Sequence, residues 1–384
     1  MSGSSLSLIR EKLDAGISLS QEDGEFLFTC PNLLEIGSLA NRLREKLHGD
    51  ITYYNCILHL NSTNVCEASC LFCSFARLEM GMPNAYTMSI NDARAWIEKR
   101  YRSGMTEIHI VNGLNPHLDF SYYEELLSMI RSDFPALHIK AFTAVEIHYF
   151  AEKFGMTYTE VLQKLIKAGL GSLPGGGAEI FSERVRRKIC RDKVDSAGWL
   201  AVHEAAHQLG LRSNCTMLYG TIETLEERVD HMIRLRELQN RSGGFQVFVP
   251  LAFHAEGNRM ERVPPPTGAD DLRVIAVSRL MLDSIPHIKA YWVMLGVKTA
   301  QIAQFFGAND MDGTVTEEKI YHMAGSHSPD SLTLDEIKRV IRAAGRTPVE
   351  RTTTYDIVPR AQGAETSPER KKNSLQVYVS EAHS

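Results

Sequence analysis

Between residues 56 and 295 the chain alternates short apolar runs with longer amphipathic stretches, and this rhythm narrows the choice of fold more than any other feature. Runs at 56–60, 107–112, 139–143, 169–173, 212–218, 245–251 and 288–295 predict strands. Stretches at 90–103, 122–134, 158–168, 196–209, 225–242 and 270–284 carry apolar residues at helical spacing. Strands separated by helices of this length are joined by crossovers, so they run parallel. Six or seven such units in about 250 residues suit an α/β chain folded as a (β/α) TIM-type barrel better than an open sheet. No G-x-G-x-x-G or P-loop segment supports the open alternative.

In such barrels the chemistry sits on the loops that follow the C-terminal ends of the strands. The unusual residues of this chain fall there. After the first strand come Cys66, Cys70 and Cys73 in C-x3-C-x2-C spacing, with Phe72 just before the third. Three thiolates leave one iron of a [4Fe-4S] cluster without a protein ligand, and an open iron can bind a small molecule; electron-transfer clusters are closed by four ligands. The same cysteines can be read as buried small hydrophobes, or as a zinc site completed by His59. The small and polar residues around them favour the cluster, because such a loop can turn backbone N–H groups toward sulfur.

The other strand ends supply candidate cofactor contacts. Asn112 and Gly113 follow the second strand, and Gly175, Gly176 and Gly177 follow the fourth with Glu179 alongside. Glycine lets a ligand approach the backbone, or simply marks a sharp turn. A carboxylate such as Glu179 can accept both hydroxyls of a ribose. His59 and Asn61 share one face of the first strand by alternation, as cofactor contacts or as hydrogen-bonded barrel residues. His254 ends the sixth strand. Residues 307–313 are dense in Asn, Asp and Gly, with Glu317, Glu318, His322 and His327 following; the D-x-D-G pattern lacks the ligand set of an EF-hand and reads as a substrate-facing or structural loop.

At the N-terminus Leu6, Ile9, Leu13 and Ile17 recur at helical spacing, so residues 1–48 predict a helical cap, 49–350 the barrel, and 351–384 a short C-terminal tail, partly disordered. Net charge of −5 with scattered basic residues argues against nucleic acid as a partner. The start lacks a signal-peptide core and no apolar run matches a membrane span. Seven cysteines, three of them crowded together, do not make a disulfide framework. The expected compartment is the reducing cytoplasm.

The cysteine loop resembles the C-x3-C-x-aromatic-C motif of the radical S-adenosylmethionine (SAM) enzymes. The stretches 172–181, 215–239, 243–254, 287–296 and 307–325 are similar, in order, to aminofutalosine synthase of the futalosine route to menaquinone, over roughly residues 50–350. The resemblance implies that the free iron chelates SAM, that Phe72 lies near the adenine, and that a donor such as flavodoxin or ferredoxin supplies an electron. It also implies that the 5′-deoxyadenosyl radical adds to 3-[(1-carboxyvinyl)oxy]benzoate to give 6-amino-6-deoxyfutalosine. A pocket for that reaction must hold two carboxylates. Arg77 and Arg212 are the candidates, with structural ion pairs as the alternative, and His254 is a candidate proton donor. A homodimer is compatible with the sequence. The rival readings are dehypoxanthine futalosine cyclase, a deazaflavin-cofactor synthase component, and a non-enzymatic Fe-S or zinc protein. Residues 248–254 and 310–314 favour the synthase.

Overall fold

The computed structural model describes residues 4–315, 318–329 and 331–359. Glu317 and the expected tail from 360 onward lie outside the described residues. β1 (Ile51–Asn55) and β2 (Ile57–Leu60) form one extended run broken only at Cys56. From β2 a parallel sheet continues through β3 (Glu107–Ile110), β4 (His138–Ala141), β5 (Ser172–Leu173), β6 (Arg212–Tyr219), β7 (Phe245–Ala252) and β8 (His287–Ile288). β9 (Asp310–Gly313) and β10 (Thr347–Glu350) flank β1 in a second parallel sheet of three strands. Lys289, just past β8, bridges to Asp310 of β9, and β9 pairs with β1. Backbone pairing therefore joins the two ends of the curled seven-stranded sheet.

Local sequence explains the helices between the strands. Helix Tyr158–Ala168 starts at a capping box in which Thr157 and Glu160 satisfy each other's backbone N–H groups, and it stops at Gly169, whose φ of 130° excludes a side chain. Val161, Leu162, Leu165 and Ala168 form its buried stripe. Each large aliphatic side chain in that stripe contributes roughly 1.5–3 kcal/mol on burial, and Leu165→Ala would cost about 2–5 kcal/mol.

The N-terminal helices α1 (Leu6–Asp14), α2 (Gln21–Thr29) and α3 (Leu33–His48) carry no residue of the cavity described below. α2 packs on helix Leu225–Ser242, and α3 on helix Gly268–Met281. Gly37 lets α3 also approach the segment after helix Val297–Ala303, since a Cβ there would lie 2.5 Å from the Phe306 ring. Arg44 of α3 is buried and donates to the carbonyls of Gly49 and Ile51, which ties these helices to β1.

Three sequence expectations change. The strand expected over 288–295 is extended only at His287–Ile288, after which the chain turns into a short helix, Trp292–Leu295. There Trp292 is fully buried and its indole N–H donates to the Gly313 carbonyl at 2.9 Å; an apolar run alone does not separate buried strand from buried helix. Helices Ala144–Phe154 and Glu183–Ile189 and strands β1 and β10 were not anticipated. Finally, the chain beyond 350 docks before it leaves the described residues. Arg351 is buried against Asp310 at 2.5 Å, the Tyr355 hydroxyl donates to Asp310 at 2.8 Å, and the Thr353 hydroxyl donates to Glu107 at 2.7 Å. These contacts seal the N-terminal end of the barrel.

Candidate active site

The C-terminal strand ends surround a cavity of about 300 Å³. Cys66, Cys70 and Cys73 line one wall. Their loop is held by backbone bonds to three neighbours. The N–H of Glu67 donates to Leu114, that of Leu71 to Ile189, and that of Arg259 to Leu71. Gly113 is required here for a reason different from ligand approach: a Cβ would stand 2.2 Å from the Val65 carbonyl oxygen, so the glycine admits the cysteine loop itself.

Arg77 is part of that loop's frame. Its guanidinium donates to the carbonyls of Ser74, Phe75, Ala76 and Pro83, and it does not line the cavity. Arg212 is also absent from the cavity. It is the first residue of β6, at the end of the barrel opposite the loops, and it donates to the Gly243 carbonyl from an exposed position. Neither arginine is placed to grip a substrate in this geometry.

The donor set fits a three-cysteine cluster. The three thiols share a cavity wall, the Ala76 N–H lies 3.4 Å from the Cys73 sulfur as a donor, and space remains in front of them. Burial pushes the Cys66 thiol up and the Cys70 thiol to about 12, so bound iron is what would hold them as thiolates. Among the described residues no three His, Cys, Asp or Glu side chains are arranged to hold a single ion. His59, the expected fourth zinc ligand, packs against His109 instead, with ring centroids 4.8 Å apart and the rings tilted by 36°.

Phe72, Asn61, Asn112, Gly175, Gly176, Gly177 and Glu179 all line the same cavity, as do His59 and His254. The glycines again serve the chain's own packing: a Cβ at Gly175 would lie 2.7 Å from Cys215 Cα on β6, and Gly177 has φ of 86°. Glu179 itself sits at φ of 47°, a backbone position that L residues rarely take. Its carboxylate meets the Lys193 ammonium at 2.6 Å, and that ammonium lies 5.1 Å from the Phe72 ring centre. Cysteine loop, aromatic and carboxylate are thus joined through Lys193. The His254 imidazole is neutralised by burial and its Nε2 lies 3.1 Å from the Met294 carbonyl oxygen, which leaves one ring nitrogen for other partners.

Deeper in the barrel the structure sets His59 beside two residues that sequence reasoning missed. His59, His109 and Lys140 are register partners on β2, β3 and β4, and all three line the cavity. Lys140 ion-pairs with Glu107, and Lys289 pairs with Asp312 at 2.6 Å. Asp310 is held well below the usual carboxylate range against its burial by Arg351 and Lys289. With Asp310 and Asp312 both paired to cations, the D-x-D-G segment is held as part of the frame, and Asp312 lines the cavity. Glu146 also lines the cavity; it accepts from the backbone N–H of Asn112 and Thr143, and burial raises its carboxyl to about 7. Glu318, Ile320, Tyr321 and Ala324 complete the lining. There His322 bonds to Glu318, which raises the imidazole to about 9. A pointer was present in the sequence: His109 and Lys140 interrupt the Ile-rich strands Glu107–Ile110 and His138–Ala141 at inward positions.

A cysteine wall facing a polar barrel interior defines a class, and the comparisons name it. The radical SAM superfamily description matches residues 60–235, and the CofH/MqnC C-terminal region matches 242–363. The chain belongs to the radical SAM superfamily. It is 48% identical to the aminodeoxyfutalosine synthase of Thermus thermophilus, over 90% of this chain and 94% of that one. With the enzyme of the same name from Streptomyces coelicolor it shares 44% identity over 97% of this chain and 98% of that one. A 5-amino-6-(D-ribitylamino)uracil–L-tyrosine 4-hydroxyphenyl transferase from Methanothermobacter thermautotrophicus is 41% identical, over 88% of this chain and 94% of that one. The crystal structure of methylornithine synthase (PylB) shares the fold, with a TM-score of 0.71 at 18% identity over 88% of this chain and 97% of that one. The chain therefore uses a [4Fe-4S] cluster, SAM and a reductant. Among the described residues no helix is long and apolar enough to cross a membrane.

Proposed function

We propose that this chain is a radical SAM transferase that joins the adenosyl group of SAM to 3-[(1-carboxyvinyl)oxy]benzoate, forming 6-amino-6-deoxyfutalosine for menaquinone synthesis in the cytoplasm. The observation that carries the proposal is the cavity itself, with three cysteines on one wall and a polar layer beneath, in a chain 48% identical to an aminodeoxyfutalosine synthase. When bound, the cluster and SAM supply a 5′-deoxyadenosyl radical.

The chain's own residues do the rest. Cys66, Cys70 and Cys73 would hold the irons. Phe72 and the Lys193–Glu179 pair stand beside them, where adenine and ribose are to be received. Above the polar layer the lining also includes Val111, Leu218, Val249, Leu251 and Phe253, apolar side chains that would help exclude water and leave the alkene as the near neighbour of the reacting carbon. His254 would hold or pass a proton through the ring nitrogen not facing Met294. A one-electron carrier such as flavodoxin or ferredoxin would reduce the cluster.

The test is to reconstitute the protein anaerobically, reduce it, and incubate it with SAM and the enol-ether benzoate, reading products by mass spectrometry. The expected product is the adenosyl adduct with loss of one carboxyl group. Free 5′-deoxyadenosine with a cyclised dehypoxanthine product would assign the cyclase instead, and a hydroxyphenyl adduct from tyrosine the deazaflavin-cofactor component. Absence of any SAM cleavage would leave a non-enzymatic iron–sulfur or zinc protein.

A further inference from the structure

The interior layers of a (β/α) barrel are ordinarily filled by bulky branched apolar side chains. Here one layer breaks that rule on three adjacent strands. The register aligns His59 with His109 and His109 with Lys140, so a histidine pair and a lysine stand side by side facing the cavity. Lys289 faces the same space from past β8. A polar layer inside a barrel costs desolvation unless every group finds a partner. Lys140 and Lys289 have theirs in Glu107 and Asp312. His59 does not: its Nε2 is buried with no hydrogen-bond partner among the described residues, although its ring packs against that of His109 with centroids 4.8 Å apart.

The layer also lies at a definite depth. His59 on β2 is two residues before Asn61, which lies just past the strand; this sets His59 about 6.6 Å further from the cysteine loop along the strand direction. Burial keeps both imidazoles neutral, at His59 against the nearby carboxylates of Glu318 and Asp312 and at His109 with help from Lys140, so His59 can offer an N–H rather than a charge. Lys140 and Lys289 line the same cavity, and each ammonium carries three N–H donors, so both can bond a further anion beside the carboxylate each already holds.

We propose that His59 is a specificity residue which, seated on His109, receives the ring carboxylate of an aromatic acid through Nε2–H, with Lys140 and Lys289 as its electrostatic backing. This rests on the functional reading above and deepens it. With the enol-ether carbons held beneath the cysteines, the carboxylate on the far side of the benzene ring is the group that reaches this layer. His59 is thereby assigned to substrate rather than to SAM.

The test is a binding measurement on cluster-loaded, unreduced enzyme with SAM present. The probes are 3-[(1-carboxyvinyl)oxy]benzoate and the same enol ether without its ring carboxylate. Wild type should prefer the carboxylated probe by about ten- to a hundredfold, the span expected for a hydrogen bond to a charged group. His59→Leu should bring that preference close to unity, while His59→Gln, which keeps an N–H donor, should retain part of it. SAM affinity and the cluster absorbance should be unchanged in both variants, which separates this role from misfolding. An undiminished preference in His59→Leu, or no preference in wild type, overturns the proposal. A wild-type enzyme that shows the preference yet forms no adenosyl adduct on reduction would instead overturn the functional reading and leave the seat standing.

Discussion

At the mouth of the barrel the ligating side chains ride on loops held by backbone hydrogen bonds, whereas at the floor they project from the strands themselves and are held by ion pairs. Cys66, Cys70 and Cys73 depend on bonds such as Leu71 to Ile189 and Glu67 to Leu114, which no side-chain change at the cysteines removes. Lys140, Lys289 and Asp310 depend on one another and on Arg351, with Glu107 and Asp312 as counter-charges. Chemistry at the mouth can therefore be deleted without unfolding the barrel, while the floor couples substrate space to stability. In a buried pair, removing one partner strands the other's charge.

The largest effect should come at the mouth. Cys70→Ala should abolish SAM cleavage while thermal unfolding stays near wild type; retained cleavage would break the distinction at once. At the floor, Arg351→Met should lower stability by about 3–5 kcal/mol in denaturant titrations, because Asp310 is left buried without its guanidinium. A cost under 1 kcal/mol would show that Lys289 and Tyr355 alone neutralise Asp310.

Glu146 lies between the two regions and gives a pH signature. Burial lifts its carboxyl from the ordinary 4.5 to about 7, so the native state holds that proton more tightly than the unfolded chain. Its contribution to stability is full below pH 4.5 and is lost as pH rises through about 7. The loss is on the order of 3 kcal/mol. Glu146→Gln should flatten that slope in unfolding measurements made across the same window. The smallest expected change is Gly113→Ala, which crowds the Val65 carbonyl. It should cost about 1–3 kcal/mol and lower the yield of cluster on reconstitution more than it lowers helix content.

The same contrast explains what could be read in advance. Loop chemistry is local: C-x3-C-x-Phe-Cys, Asn112-Gly113, the glycine run with Glu179, and His254 all line the cavity. The βα rhythm likewise located most of the strands and helices. The floor is not local. His59, His109 and Lys140 are about fifty and thirty residues apart, as βαβ spacing places register partners, and only strand register makes them neighbours. Arg77 and Arg212 were plausible because arginine suits carboxylates, but one is consumed by the carbonyls of its own loop and the other begins its strand instead of ending it. β10 has no local pattern, because its partner β1, which pairs Ile51 with Thr347, lies far earlier in the chain.

The division of labour between mouth and floor is tested most directly by the fraction of consumed SAM that ends in the adenosyl adduct, compared between wild type and His59→Leu at substrate concentrations near the wild-type KM. The account predicts that the variant goes on cleaving SAM but releases mostly free 5′-deoxyadenosine, because the cysteine wall is intact and the ring carboxylate has lost its seat. An unchanged adduct fraction in His59→Leu would contradict it.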